Sequence, residues 1–284
     1  MRHRGIVAGA ALVAASLTIG ALLTETTFGV VSHLPSIPPP LASGAIAPIK
    51  LPRTQPAPIN LSIGFESPRV EGSTPEVESI DLELSRHITF ETAGLPSCSS
   101  SQLYATDTPQ EYCPKSLVGR GSVASEIRKP DGTTITLTGH LLAFYSLDGH
   151  RSLILARVET GEPLPLVYVI PFTIRNAEGS FGTDLSVSTQ AMAGLQGKCA
   201  TTNPYCFYSP HKLVGIYDRI SSFEMSLHRT FRGEGGRASF VSAVCPAPRG
   251  FRQVNLPIMD VRLNYLSGPP PLSSVVVRRC IASR

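Results

Sequence analysis

The sequence predicts an all-β fold, a largely antiparallel β-sandwich of about ten strands stapled by disulfides. Three observations support this prediction. Apolar and polar residues alternate from Val77 onward with a period close to two, which places one set of side chains on each face of a strand. The 284 residues include 24 glycines and 25 prolines, which favour turns over long helices. Six cysteines, an even number, follow a hydrophobic N-terminal segment.

The strands are located by this alternation and by the turns between them. In the first strand Ile80, Leu82 and Leu84 alternate with polar residues. Further strands are predicted at 118–128, 133–145, 151–159, 164–175, 180–189, 221–231, 237–245, 254–266 and 272–280. Turn sequences such as Pro130-Asp131-Gly132 and Asp148-Gly149 indicate hairpins, so we expect mainly antiparallel pairing.

Helical signals are weak after residue 30. The best candidates are two short segments, Ser99 to Tyr104 and Thr108 to Glu111. Pro109 suits the first turn of a helix because that position needs no backbone N–H donor. We therefore expect at most brief helices between strands.

The N-terminus has the pattern of an export segment. Arg2 and Arg4 precede an apolar run of 18 residues from Ile6 to Leu23. This run is longer than the core of about 7–15 residues in a cleaved signal and close to the roughly 17–25 of a spanning helix. A cleaved signal peptide over 1–30 and a retained membrane anchor over 6–23 both stay open. Either outcome places the protein outside the cytoplasm, in the cell envelope or the extracellular space.

A proline-rich segment follows the apolar run. Ten prolines lie between residues 35 and 75. Proline has no N–H to give to a sheet and favours extended chain, so residues 31–75 are predicted to be a semi-rigid linker. The stretch from Ile59 to Phe65 is a candidate edge strand within it. The domain itself is predicted to span 76–284.

The cysteines are predicted to form disulfides. They are Cys98, Cys113, Cys199, Cys206, Cys245 and Cys280. Fifteen pairings are formally open. Proximity in sequence and the order of the hairpins favour Cys98–Cys113, Cys199–Cys206 and Cys245–Cys280. Zinc sites need short spacings such as Cys-x₂-Cys, whereas the closest cysteine pair here is separated by six residues and no His-x₃-His occurs, so no metal is predicted. No cofactor is predicted either.

The charge pattern argues against nucleic-acid binding. The net charge is only +4 and the charges are scattered along the sequence. The densest basic cluster is Arg278-Arg279, with Arg284 beyond it, and we expect a solvated C-terminal tail there. A nucleic-acid binder usually carries a basic stripe. Contact with a membrane is expected only through the N-terminal segment.

No catalytic residue is predicted, and the chain is more consistent with a binding protein than with an enzyme. It lacks the Gly-x-Ser-x-Gly, Ser-x-x-Lys and His-Glu-x-x-His motifs. Gly119-Arg120-Gly121 superficially matches a dinucleotide-binding loop, but it leads into a predicted strand rather than a helix. Asp81 and Glu83 share a strand face, as paired catalytic carboxylates would, although acids at alternating positions usually face solvent.

The loop between Cys199 and Cys206 is the candidate binding loop. A disulfide there would present Tyr205, with Phe207 and Tyr208 directly after it. Such rings can stack on sugars or pack against a partner. The alternative, which we favour, is that they fill one end of the domain.

Several motifs together resemble a group of uncharacterised exported proteins of high-GC actinobacteria. The matching residues are Gly94-Leu95-Pro96-Ser97-Cys98, Cys113-Pro114, Leu117-Val118-Gly119-Arg120-Gly121, Ser242-Ala243-Val244-Cys245-Pro246 and Cys280. The resemblance covers roughly residues 78–284. It supports the 98–113 and 245–280 pairings and implies that Cys199 and Cys206 are an addition in this chain. It implies no activity and no functional residue.

Two functional hypotheses follow from the sequence. The first is a non-enzymatic binding or structural protein of the envelope, with cell-wall polysaccharide or an envelope protein as its partner. The second is a secreted hydrolase whose site is assembled from dispersed loop residues. A cleft that brings a histidine or paired carboxylates within hydrogen-bonding distance would favour the hydrolase.

Overall fold

A computed structural model describes residues 39–70, 72–128, 133–161, 165–188, 198–199, 219–233, 236–266 and 269–283. Strands account for 64% of these residues and helices for 4%. The predicted mostly β class is therefore confirmed. The described residues belong to one compact unit.

The described ranges contain eighteen strands and two short helices. The strands are β1 (Leu41–Ala47), β2 (Lys50–Leu51), β3 (Ala57–Pro58), β4 (Asn60–Glu66), β5 (Val77–Ser85), β6 (Ile88–Phe90), β7 (Leu117–Arg128), β8 (Thr134–Asp148), β9 (Arg151–Thr160), β10 (Leu166–Asn176), β11 (Phe181–Ser188), β12 (Lys198–Cys199), β13 (Ile220–Leu227), β14 (Thr230–Gly233), β15 (Gly236–Ser239), β16 (Val241–Ala243), β17 (Gln253–Tyr265) and β18 (Leu272–Ala282). The helices are α1 (Ser100–Tyr104) and α2 (Pro109–Tyr112). Both helices lie where the sequence predicts them, and Pro109 occupies the first turn of α2.

Thirteen strands form the main sheet. Its order is β1-β4-β13-β7-β8-β9-β10-β11-β5-β17-β18-β2, and β12 pairs with β10 beside this path. The pairings are antiparallel except for the parallel contact of β18 with β2. Two smaller sheets have the orders β14-β15 and β3-β16-β6. The antiparallel prediction is thus confirmed, whereas the division into two packed sheets stays a prediction.

Part of the predicted linker belongs to the main sheet, which corrects the domain boundary. Strand β4 lies between β1 and β13 rather than at an edge. Its Leu61, Ile63 and Phe65 point into the core and are buried. Prolines between the strands end the sheet pairing locally, and Pro58 lies on the edge strand β3, where a missing N–H is tolerated. The linker prediction therefore does not hold for residues 41–66.

The alternation of side chains separates one large core from the outer sheet surface. In β5 the side chains of Ile80, Leu82 and Leu84 are fully buried. Within this core the rings of Phe65 and Phe223 stack with centroids 5.7 Å apart. Fully burying one such large apolar side chain contributes about 1.5–3 kcal/mol. This core fixes which residues of each strand face outward.

A second, smaller core lies on the outer surface of β8–β10, under the two helices. It contains Cys98, Leu103, Cys113, Phe144, Leu155 and Val169. Helix α1 begins with a capping box, in which Ser99 Oγ accepts from Gln102 N at 3.3 Å and Ser99 N donates to Gln102 Oε1 at 2.8 Å. The buried Arg157 donates from Nε to Leu103 O and from Nη2 to Thr106 O, both at 3.2 Å. These contacts hold the helical segment against the sheet.

Two of the three predicted disulfides are confirmed, Cys98–Cys113 and Cys245–Cys280. Cys98, Cys113, Cys245 and Cys280 are all paired in these two bonds, so none of these four is free. Two disulfides are consistent with an oxidising, extracellular environment. Cys206 lies outside the described residues, so the Cys199–Cys206 pairing stays a prediction.

The export segment also lies outside the described residues, since these begin at residue 39. Among the residues that are described, no helix is long and apolar enough to cross a membrane. The cleaved signal peptide and the retained anchor both stay predictions.

Candidate functional site

The outer surface of β11, β5 and β17 carries four carboxylates, Asp81, Glu83, Asp184 and Asp260, here called the acidic face. The alternation in β5 turns Asp81 and Glu83 away from the core. Pairing with the two neighbouring strands then places Asp184 and Asp260 on either side of Glu83. Directly opposite residues in antiparallel strands have Cβ atoms about 4.5–5.5 Å apart. Three carboxyl groups therefore form one row across three strands.

A second row beside the first contains Ser186, Asp81 and Arg262. The Arg262 guanidinium lies 3.8 Å from Glu83 Oε1 and 3.9 Å from Asp260 Oδ2. Asn264 Nδ2 donates to Asp81 Oδ2 at 3.0 Å. Arg262 thus partly neutralises the first row, while Asn264 holds Asp81 in place.

Three buried oxygen atoms on this surface have no hydrogen-bond partner among the described residues. They are Asp184 Oδ1, Ser186 Oγ and Asp260 Oδ1. Asp260 as a whole is only 9% exposed. Most buried polar atoms in native proteins are hydrogen-bonded, and leaving one unpaired costs on the order of 1–3 kcal/mol. The acidic face therefore retains unused hydrogen-bonding capacity.

Burial and mutual repulsion change the protonation of two of these acids. Burial raises the pKa of Asp184, and the charges of Asp81 and Glu83 raise it further. Ser186 lies close enough to offset part of this rise, although its Oγ has no partner with good hydrogen-bond geometry. Burial also raises the pKa of Asp260, and the Arg262 charge counteracts the rise. Asp184 and Asp260 therefore keep their protons to a higher pH than isolated aspartates do.

A groove of about 400 Å³ adjoins the acidic face on the outer surface of β8–β10. Thr173 lines it and pairs with Ser186 of the second row, so the two features are neighbours in the sheet. Its apolar wall consists of Leu147, Leu153, Leu155, Val169 and Pro171. Ser99 and Ser100 line it from the start of α1. The outer surface from β8 to β17 therefore combines an apolar groove with a row of acids.

A second groove, of about 530 Å³, lies on β7, β8 and β13 and is lined by a serine and a histidine, Ser122 and His140. Ser122, His140 and Glu159 lie opposite one another on β7, β8 and β9. No hydrogen bond links the three in the described part of the chain, and Glu159 Oε2 instead accepts from Arg157 Nη1 at 2.9 Å. Their positions therefore do not make a catalytic triad.

A metal site is also not supported by the geometry. Among the described residues, no group of three or more histidine, cysteine, aspartate or glutamate side chains is arranged to hold a metal ion.

The structure describes only some of the predicted site residues. The candidate binding loop, Tyr205, Phe207 and Tyr208, lies outside the described residues and stays a prediction. Asp81 and Glu83 do share an outer strand face, as their alternation indicates. Sequence reasoning missed Asp184 and Asp260. Both stand at outward positions of recognisable strands, but only the pairing of β5 with β11 and β17 brings them to Glu83.

Comparison with known proteins adds no identification: no protein-family model, curated protein or solved structure matches the chain.

Proposed function

We propose that this chain is an exported, non-enzymatic binding protein of the cell envelope whose acidic face recognises a cell-wall polysaccharide. The observation that supports the proposal most strongly is the cluster of four carboxylates on an outer sheet surface, two of which, Asp184 and Asp260, each keep one oxygen without a hydrogen-bond partner among the described residues. Carboxylates accept hydrogen bonds from hydroxyl and amino groups, which such a polymer carries in series. We also propose that the main sheet packs as a sandwich around the large core.

The adjoining groove supports a sugar ligand over a small polar ion. Its leucines and Pro171 offer an apolar wall next to hydroxyl groups of Thr173 and Ser99. Sugar rings have apolar faces and polar edges, so a surface with both kinds of contact can bind them. The two disulfides are consistent with function outside the cytoplasm.

Retention of the full chain on insoluble cell-wall polysaccharide tests the proposal. We expect the Asp184→Asn/Asp260→Asn variant to be retained more weakly, because it loses two of the charged acceptors. Glu111→Gln, which removes an exposed acid from α2, is the matched control and should be retained like the unmodified protein. Equal retention of all three proteins, or retention of none, would contradict a polysaccharide site on the acidic face.

A hydrolase is the second candidate, and one observation favours it. Glycoside hydrolysis uses two carboxyl groups, one of them with a raised pKa, and Asp184, whose pKa is raised by burial and by neighbouring acids, lies directly opposite Glu83. In this case the protein would release reducing ends from the polysaccharide. Asp184→Asn would abolish that release while retention persisted. Retention without any release of reducing ends supports the binding protein.

A further inference from the structure

One end of the described unit gathers basic residues from three separate chain segments. They are Lys50, Arg53, Arg249, Arg252, Arg278 and Arg279, here called the basic end. The segments that carry them, 39–59, 240–259 and 269–283, contain no aspartate or glutamate. Six of the 25 basic residues of the chain therefore lie in segments that carry no acidic residue of their own.

Strand β18 brings these segments together. Its Arg279 lies opposite Asn255 of β17, and its Ile281 lies opposite both Gln253 and Lys50. The Ala282 N–H donates to the carbonyl of Arg252 at 2.8 Å.

Arg278 and Arg279 are thus part of a strand, which corrects the prediction of a solvated tail. A groove of about 750 Å³ runs between Lys50, Arg53, the 250–252 turn and residues 281–283.

Two large apolar side chains protrude among these cations. Phe251 is 65% exposed and lies between Arg249 and Arg252 in sequence. Ile49 is 46% exposed and precedes Lys50, and its carbonyl accepts from Ile281 N at 2.8 Å. Exposed aromatic and aliphatic side chains flanked by cations are typical of segments that lie at a membrane interface.

The turn that carries Phe251 is firmly supported. Arg53 donates from Nη2 to Phe251 O at 2.7 Å, and from Nη1 to Pro248 O at 3.1 Å and to Ala247 O. Gly250 allows the turn because its φ of +89° is disfavoured for other residues. The Cys245–Cys280 disulfide joins the start of this segment to β18. Phe251 is therefore presented in a fixed position, so binding would need little ordering of the turn.

We propose that the basic end is a docking surface for an anionic lipid bilayer, with Phe251 and Ile49 entering the boundary between headgroups and acyl chains. This surface is separate from the acidic face and goes beyond the proposed polysaccharide binding. The cations supply attraction to acidic headgroups, which falls off within a Debye length. A soluble polyanion would match the cations as well, but it would leave the two protruding apolar side chains without a role.

The absence of tryptophan from the chain makes a direct test available. In the full chain, Phe251→Trp would introduce a single fluorescent reporter at the tip of the turn. With vesicles of phosphatidylglycerol and phosphatidylcholine, we expect its emission to shift to shorter wavelength and to be quenched by a lipid-borne quencher. Phosphatidylcholine vesicles alone should have little effect. Tyr112→Trp, at a position 59% exposed on α2, controls for association through other parts of the chain and should show neither change.

Removing charge should weaken the same signal. In the Phe251→Trp background, Arg249→Gln/Arg252→Gln should lower the apparent affinity for the mixed vesicles roughly 30-fold, because each surface arginine contributes about 1 kcal/mol to binding. Arg232→Gln/Arg237→Gln, which removes two exposed arginines from the β14–β15 hairpin, is the matched control and should have much less effect.

Four results would overturn membrane docking. The first is an unchanged emission with the mixed vesicles, and the second is an equal shift with phosphatidylcholine alone. The third is an equal loss of affinity in both double-arginine variants. A shift produced as strongly by soluble polyphosphate or DNA as by vesicles would also overturn it, since binding would then depend on polyanion charge without insertion.

Discussion

The acidic face and the basic end have opposite charge and differ in how they are built. The acidic face consists of residues at alternating positions within β5, β11 and β17; Asp260 is buried, and Asp81, Glu83 and Asp184 are half-buried. The basic end consists of strand ends and a turn, and most of its side chains are exposed. Strand β17 takes part in both, with Asp260 in the face and Gln253 near the basic end. A chain with a small net charge can therefore carry two separate surfaces of opposite charge.

The two regions also differ in what supports them. The acidic face is held by the hydrogen bonds of the main sheet. The basic end depends in addition on the Cys245–Cys280 disulfide and on the contacts of Arg53. We therefore expect the loss of a disulfide to lower stability most at the basic end. The loss of a charge should change stability most at the acidic face.

The largest effect is expected from removing a disulfide. Cys245→Ser/Cys280→Ser should lower the free energy of unfolding by about 4 kcal/mol, because the lost cross-link closes a longer loop than the other one does. Cys98→Ser/Cys113→Ser, with a sequence separation of 15 residues rather than 35, should cost about 3 kcal/mol. Urea unfolding measures both. A larger loss for the 98–113 variant would show that the basic end is not the region most dependent on its disulfide.

An intermediate effect is expected from Asp184→Asn. At neutral pH the substitution should raise the free energy of unfolding by up to about 1 kcal/mol, since like charges directly opposite each other destabilise paired strands. The folded-state pKa of Asp184 is raised above its ordinary value of 3.8. The unmodified protein therefore loses stability as the pH rises through the window above 3.8, and the advantage of the variant appears in that window.

Urea unfolding at a series of pH values measures this advantage. It should vanish well below pH 3.8, where Asp184 is protonated in both the folded and the unfolded state. Glu111→Gln is the control and should change the free energy of unfolding by less than about 0.5 kcal/mol. An advantage of Asp184→Asn that is the same at every pH would argue against charge repulsion on the acidic face.

The smallest effect on stability is expected from Arg262→Gln. Its carboxylate contacts are long, 3.8 Å and 3.9 Å, and exposed ion pairs contribute roughly 0–1 kcal/mol. The pKa of Asp260 should nevertheless rise further, because Arg262 is the charge that lowers it. NMR titration of the Asp260 carboxyl group measures this rise. An unchanged titration would mean that Arg262 does not compensate the acidic row.

Local patterns predicted the elements well. The strand expected at 118–128 is Leu117–Arg128, and the one expected at 272–280 is Leu272–Ala282. The alternation of side chains and the turn residues are sufficient for this, because both act over a few neighbouring positions. The proline content misled the prediction at residues 41–66, since prolines between strands do not prevent the strands themselves from pairing.

The candidate surfaces could be predicted only in part. Asp81 and Glu83 are recognisable as outward acids because they alternate with buried leucines. Their neighbours Asp184 and Asp260 lie about 100 and 177 positions further along the chain from Glu83. Register between such distant strands depends on the packing of the whole sheet.

The sequence by itself predicted the β class, several hairpins, the alternating faces of strand β5 and the two cysteine pairs that the structure confirms. These properties follow from the pleat of a strand, from turn geometry and from short loops between cysteines. Only the tertiary structure decided which strands are neighbours. That arrangement places Asp184, Glu83 and Asp260 in one row and gathers Lys50, Arg252 and Arg279 at one end. The interaction between two charges depends on their distance in space. Packing sets that distance, and position along the chain does not.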